Sequence, residues 1–219
     1  MKFKKEQFIK FFINNGGISF FDKNAKAKYS GKPSTIYFNW RTIVEDVYNL
    51  EKCANYVISY IKAKKLNPDC FLGVPEGASK LAVIMQYKWA RTSGKYKKGS
   101  HIMALARGNS KKHGMPKDRD FLGIPKRKVF LIEDIASRGG AIIDTIKKLK
   151  KVNITPYAVI VLSDRTNKET KTKLLKFLST KKIRYYAITN QKEVVEKAVE
   201  ILKPPKEIIN KLKERGKIK

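Results

Sequence analysis

Short apolar runs alternate along this chain with stretches in which apolar residues return every third or fourth position. The runs at 70–74, 102–106, 129–133, 157–162 and 184–188 have the length and β-branched or aromatic content of buried strands. Between them, 80–91, 140–151 and 168–178 carry helical spacing, as in Ile142, Ile143, Ile146 and Leu149. Strands and helices alternating at these lengths predict an α/β fold: a central parallel sheet flanked by helices, with right-handed crossovers.

The flanks read differently. Segment 3–14 is amphipathic, with Phe8, Ile9, Phe12 and Ile13 on adjoining turns, and Asn14-Asn15-Gly16-Gly17 stops it. Short strands at 18–21 and 35–38 flank a connection rich in Lys, Ser and Gly, which predicts a small N-terminal hood lobe over the sheet. Apolar positions Val44, Val47, Ala54, Val57, Ile58 and Ile61 predict one long helix over 44–61. Asn190 and Glu193 form a capping pair for a helix at 192–202, and Pro204-Pro205 separates a basic terminal helix. The expected organisation is a single domain: a hood over about 1–42, an α/β core over 43–190, and C-terminal helices over 191–219.

Two strand-to-helix turns carry the chemistry. In the first, apolar residues 129–132 end in Glu133 and Asp134, followed by Ile135, Ala136, Ser137, Arg138, Gly139, Gly140 and Ala141. The glycines let backbone amides converge at a helix N-terminus, where unsatisfied N–H groups and the dipole favour an anion, phosphate best of all. Carboxylates at the carboxyl end of such a strand accept hydrogen bonds from sugar hydroxyls or help hold Mg²⁺ indirectly. The second turn, Gly73-Val74-Pro75-Glu76-Gly77-Ala78-Ser79-Lys80, is similarly rich in small residues. The polar stretch from Arg107 through Lys111 and His113 to Gly123 has the composition of a mobile, phosphate-covering loop. Arg165, after the strand at 157–162, suits two-pronged recognition of a carboxylate.

Charge widens the range of partners without choosing one. The 219 residues carry 49 Lys and Arg against 19 Asp and Glu, a net +30 that attracts polyanions. No ordered aromatic platform accompanies the basic stretches, so a solvated Lys-rich surface is favoured over nucleic-acid binding. Two cysteines, Cys53 and Cys70, are too few for a disulfide framework and read as small buried hydrophobes. No apolar run approaches the ~20 residues of a membrane helix, and the N-terminus lacks a signal peptide's apolar stretch. A soluble cytoplasmic protein is expected.

The 129–141 stretch resembles the phosphoribosyl pyrophosphate (PRPP) signature of type I phosphoribosyltransferases. The resemblance implies that Glu133 and Asp134 hold the ribose hydroxyls, that Ser137 through Ala141 hold the 5-phosphate, and that the turn containing Gly77 is the pyrophosphate loop. Arg138 stands where a small residue is customary, and either adds charge to the phosphate site or faces solvent. Segment 29–41 and the loop at 107–114 are similar to their counterparts in orotate phosphoribosyltransferases. There a Lys reaches the active site where Tyr29 stands here, and a one-residue shift gives that role to Lys28. Arg107, Lys111 and His113 match the loop's cations, Gly108 replaces a second one, and Arg165 matches the Arg that contacts orotate. The implied reaction joins orotate and Mg²⁺-bound PRPP, with Lys111, Arg107, His113 and Asp134 as the catalytic set. Also implied are Mg²⁺ held mainly through PRPP rather than by protein ligands, and a homodimer with shared active sites. Another nucleobase, or a PRPP-sensing regulator that binds nucleic acid, are the alternative readings.

Overall fold

The structure, a computed structural model, describes residues 2–21, 28–29, 32–33 and 35–218. Its first elements are α1 (Lys5–Asn14), β1 (Ile18–Phe20), β2 (Lys28–Tyr29), β3 (Lys32–Pro33), β4 (Ile36–Phe38), α2 (Trp40–Ile43) and α3 (Val47–Ala63). Then come β5 (Cys70–Gly73), α4 (Ser79–Arg91), β6 (Leu105–Ala106), α5 (Pro116–Arg119), β7 (Phe121–Leu122) and β8 (Val129–Ala136). The chain closes with α6 (Gly140–Lys151), β9 (Ala158–Asp164), α7 (Lys168–Ser179), β10 (Arg184–Asn190), α8 (Gln191–Leu202) and α9 (Lys206–Glu214).

The centre is a parallel four-stranded sheet in the order β10-β9-β8-β5. Successive strand residues face opposite sides, so each apolar run feeds two cores. Phe71, Phe130, Ile132, Ile160 and Leu162 join one cluster with residues of α1, α3 and α8. Leu72, Leu131, Val159 and Val161 join the other, with Ile142, Ile146 and Leu149 of α6 and Leu174 and Leu178 of α7. At the β5 edge, Gln86 of α4 accepts from the Phe71 amide at 2.9 Å and donates to the Asp69 carbonyl at 3.2 Å. A buried edge would otherwise leave those groups unpaired.

The expected sheet and flanking helices are present, with three local differences. Only Leu105–Ala106 of the 102–106 run is a strand, and it pairs antiparallel with β7 as a separate ribbon. The returning chain supplies the partners: the Arg107 amide donates to the Asp120 carbonyl at 2.8 Å and that of Lys111 to the Arg119 carbonyl at 2.9 Å. Strands β8, β9 and β10 also run past their apolar residues, because the backbone ladder continues through Ile135↔Ser163 and Ala136↔Asp164. The helix expected over 44–61 begins at Val47, where the Asp46 side chain caps it by accepting from the Asn49 amide at 2.8 Å. Val47 is consequently exposed rather than on the buried face.

One packing feature fixes the N-terminal region over the sheet. The Trp40 ring lies 5.2 Å from that of Phe8 and 4.5 Å from that of Phe12. Its indole N–H donates to the buried Ser163 hydroxyl at 3.0 Å, and the Thr189 hydroxyl donates to the Leu162 carbonyl at 2.7 Å beside it. A buried indole N–H needs such a partner. The bond holds the start of α2 above the carboxyl ends of β8 and β9. Both cysteines are buried, as expected, and burial pushes the Cys70 thiol up to about 11.

Candidate functional site

Beneath the start of α2 lies a cleft of about 270 Å³, lined by Tyr37, Phe38, Asn39, Arg41, Pro75, Gly77, Glu133, Asp134, Ile135, Ser137 and Ala141. Three separated segments meet there: the strand β4 with α2, the β5–α4 turn, and the β8–α6 turn. Asp134 is held by the Ile135 amide, which donates to its Oδ1 at 2.8 Å. A Cβ at Gly77 would overlap the Asp134 carboxylate, so the turn passes this close only as glycine.

Glu133 is 6% exposed. Burial pushes its carboxyl well above the usual carboxylate range; the neighbouring Asp134 adds to the rise, and the Arg41 guanidinium opposes it. A carboxyl raised in this way stabilises the fold at acid pH, and that contribution is lost as pH climbs through the raised value. Glu133→Gln is therefore expected to raise Tm at pH 8 more than at pH 5. A gain of about 1–3 kcal/mol for relieving a badly solvated charge corresponds to roughly 2–4 °C per kcal/mol in a chain of this size. Thermal melts at the two pH values check this, and an equal shift at both would mean that Glu133 ionises normally.

The helix opening into the cleft, α6, is preceded by Gly139, which has φ +73° and provides no side-chain cap. A Cβ at Gly139 would lie 2.9 Å from the Leu174 side chain, so position 139 demands glycine for space as well as for backbone. Helices α7 and α8 differ, since Asn167 with Thr170 and Asn190 with Glu193 close their first turns as capping boxes. Among the described residues, no side chain caps the first turn of α6, which leaves its amides for an anion.

The structure brings together Glu133, Asp134, Gly77, Ser137 and Ala141, with Gly139 and Gly140 forming the turn behind them. Arg138 is exposed and does not line the cleft. Arg165 is not among the lining residues either; it sits beside β4, its amide donating to the Ala136 carbonyl at 2.7 Å and its guanidinium 4.6 Å from the centre of the Phe38 ring. Arg107, Lys111 and His113 lie on the ribbon between β6 and β7, and none lines this chain's own cleft. Lys111 and His113 are exposed. The Lys28 side chain and the turn at 30–31 lie outside the described residues. Tyr37, Asn39 and Arg41 are cleft residues that local pattern did not single out. The signal was modest: Asn39, directly after an aromatic strand, accepts from the Arg41 amide at 3.1 Å as a helix cap. Among the described residues, no three His, Cys, Asp or Glu side chains converge as a metal-binding group.

The solved orotate phosphoribosyltransferase of Francisella tularensis superposes on 95% of this chain and 96% of its own, with a TM-score of 0.66 and 24% identity. The chain has the type I phosphoribosyltransferase fold. No family model matches its sequence. Among curated proteins, an orotate phosphoribosyltransferase of Pyrococcus horikoshii is 24% identical over 161 residues, covering 74% of this chain and 80% of that protein. The transcriptional regulator GfcR of Methanococcoides burtonii is 22% identical over 139 residues, covering 62% of this chain and 66% of the regulator.

Within this phosphoribosyltransferase fold, Gly108, which replaces a cation, and Glu76 of the β5–α4 turn belong to one feature. A Cβ at Gly108 would overlap the Glu76 carboxylate, so the exposed Glu76 side chain lies against a position that lacks a side chain. Lys148 of α6 anchors the same place, its Nζ donating to the carbonyls of Arg107 at 2.7 Å and Gly108 at 2.6 Å. The base of the cationic ribbon is thereby bonded to α6 and lies against the β5–α4 turn.

Proposed function

We propose that this chain is an orotate phosphoribosyltransferase, transferring the 5-phosphoribosyl group of PRPP to orotate to give orotidine 5-phosphate and pyrophosphate. The observation that carries the reading is the placing of Glu133 and Asp134 beside the uncapped N-terminus of α6, under the hood. The two carboxylates accept the ribose hydroxyls, and the amides from Ser137 to Ala141 take the 5-phosphate. Arg165, between Phe38 and the end of β8, grips the carboxylate of orotate.

A ring nitrogen of orotate attacks the anomeric carbon while the bond to pyrophosphate breaks, and positive charge develops on the ribose. Asp134 stabilises that charge, and Lys111 and Arg107 neutralise the departing diphosphate. Orotate is already acidic, so His113 positions the loop and no strong base is needed. Mg²⁺, when bound with PRPP, would supply positive charge against the diphosphate. The cleft's hard carboxylate oxygens suit a cation carried in on PRPP, and Asp134 is the lining residue that would support it. Since Lys111 and His113 stand away from this chain's cleft, they serve the second copy in a cytoplasmic homodimer.

The deciding experiment follows orotate absorbance with PRPP and Mg²⁺, with adenine, guanine, hypoxanthine and uracil in parallel. Orotate loss requiring both PRPP and Mg²⁺ is expected; consumption of another base alone would refute orotate as acceptor. A second reading, a regulator that senses PRPP, draws support from the match to GfcR. It requires PRPP binding without turnover of any of the five bases.

A further inference from the structure

The chain's excess positive charge is unevenly distributed. Its exposed helices intersperse acids with bases, giving pairs such as Lys10 with Glu6, Lys173 with Glu169 and Lys197 with Glu200. At the amino ends of β5 and β8 the pattern breaks. Residues 91–101 contain Arg91, Lys95, Lys97 and Lys98, and residues 126–128 are Lys126, Arg127 and Lys128, with no acid in either stretch. These two connections border adjoining hollows of about 700 and 150 Å³ that share Asp69, Gly99, Ser100 and Arg127.

Asp69 is the one carboxylate in either lining, and it is already engaged, accepting the Lys128 amide at 3.2 Å. Among the described residues, Lys95, Lys97, Lys98, Lys126 and Arg127 form no ion pair. The loop displaying them is a folded turn. Gly94 and Gly99 adopt left-handed backbone at φ +68° and +76°. The Ser100 hydroxyl donates to the Lys97 carbonyl at 2.7 Å and accepts the Lys97 amide at 3.1 Å. Tyr96, half exposed, carries the Arg91 guanidinium 5.0 Å from its ring centre.

We propose that this trough binds the phosphodiester backbone of a nucleic acid. Five cations without partners, spread over two fixed loops, need several negative charges at chain-like spacing, which one phosphate cannot supply. A nucleic-acid strand carries one charge every ~3.4 Å. The trough lies at the opposite end of the sheet from the ribose cleft, separated along β8 by Val129 to Ile132, or roughly 17 Å from Lys128 to Glu133 at strand rise. Binding there leaves PRPP chemistry free to proceed, and the proposal stands whichever base the cleft accepts. Phosphate contacts of this kind hold the strand without reading its bases.

The test measures fluorescence anisotropy of labelled 20-mers, duplex DNA in one arm and single-stranded RNA in the other, across a salt series. Neutralising five phosphates gives a slope of log affinity against log salt near −4.5 for duplex and −3.5 for single strands. Lys97→Glu/Lys98→Glu/Arg127→Glu is expected to weaken binding at least ~10-fold and to flatten the slope by about 2.7 for duplex or about 2.1 for single strands. PRPP-dependent turnover should be unchanged. Lys203→Glu/Lys206→Glu/Lys213→Glu removes the same charge from exposed C-terminal positions and should change affinity by less than ~3-fold. Equal losses in the two triples, or no binding by the wild-type chain in either arm, would overturn the proposal. If the reversed triple fails to fold, Lys97→Gln/Lys98→Gln provides the same comparison. The tighter-binding arm identifies the partner as DNA or RNA.

Discussion

Asp134→Asn is expected to lower kcat/KM for PRPP by at least ~10-fold, the lower range for losing a hydrogen bond to a charged group at 1.5–3 kcal/mol. The substitution is nearly isosteric, and the Asn carbonyl oxygen still accepts the Ile135 amide that now holds Oδ1. What changes is the other oxygen, which becomes a donor where, in the proposed reaction, ribose hydroxyls need an acceptor. The negative charge is also lost beside a ribose that turns cationic as pyrophosphate leaves, so the loss should appear in kcat as well as in KM. Gly77→Ala should reach the same carboxylate by pushing it aside, since the added Cβ would overlap it. Steady-state kinetics on the two variants, with melts to confirm folding, provide the check; wild-type kcat/KM in Asp134→Asn would remove the ribose contact from the mechanism.

Lys111→Ala should also cost at least ~10-fold in turnover, as expected for removing a charge that acts on the departing diphosphate. Its more informative use is in mixtures. Lys111 is exposed on the β6–β7 ribbon, while Arg165 stands at its own chain's hood. If each cleft borrows the ribbon of a second copy, a heterodimer of Lys111→Ala with Arg165→Ala contains one site with both residues intact. Random assortment of a two-fold dimer then restores about a quarter of wild-type activity from two nearly inactive parents. Heterodimers shown to form by mass yet lacking any recovery would place Lys111 in its own chain's site.

Much of this arrangement was legible in the sequence, for physical reasons that differ by element. Strands β8 and β9 are buried on both faces, so their apolar runs were unmistakable; their ends, Glu133 to Ala136 and Ser163 with Asp164, continue the backbone ladder but carry no periodic signal. The strand expected over 102–106 failed as part of the main sheet because its partner is the chain's own return at Phe121 and Leu122, a pairing that no local pattern encodes. Likewise, Val47 has the right spacing for a buried face, yet the cap at Asp46 starts the helix there and leaves the side chain in water.

The site divides along the same line. Sequence by itself determined the parts written within a few consecutive residues: two carboxylates at a strand end, glycines that only a left-handed or crowded turn requires, and a helix start without a side-chain cap. Tertiary structure alone decided what faces them. The Trp40 to Ser163 hydrogen bond, spanning 123 positions, brings Arg41 over Glu133. Glu76 fits against Gly108 because the β6–β7 ribbon is anchored there by Lys148. The unpaired cations at 95–98 and 126–127 form one trough because β5 and β8 begin side by side. Local backbone preferences act over one turn, whereas burial and charge act between whichever surfaces the completed sheet brings into contact.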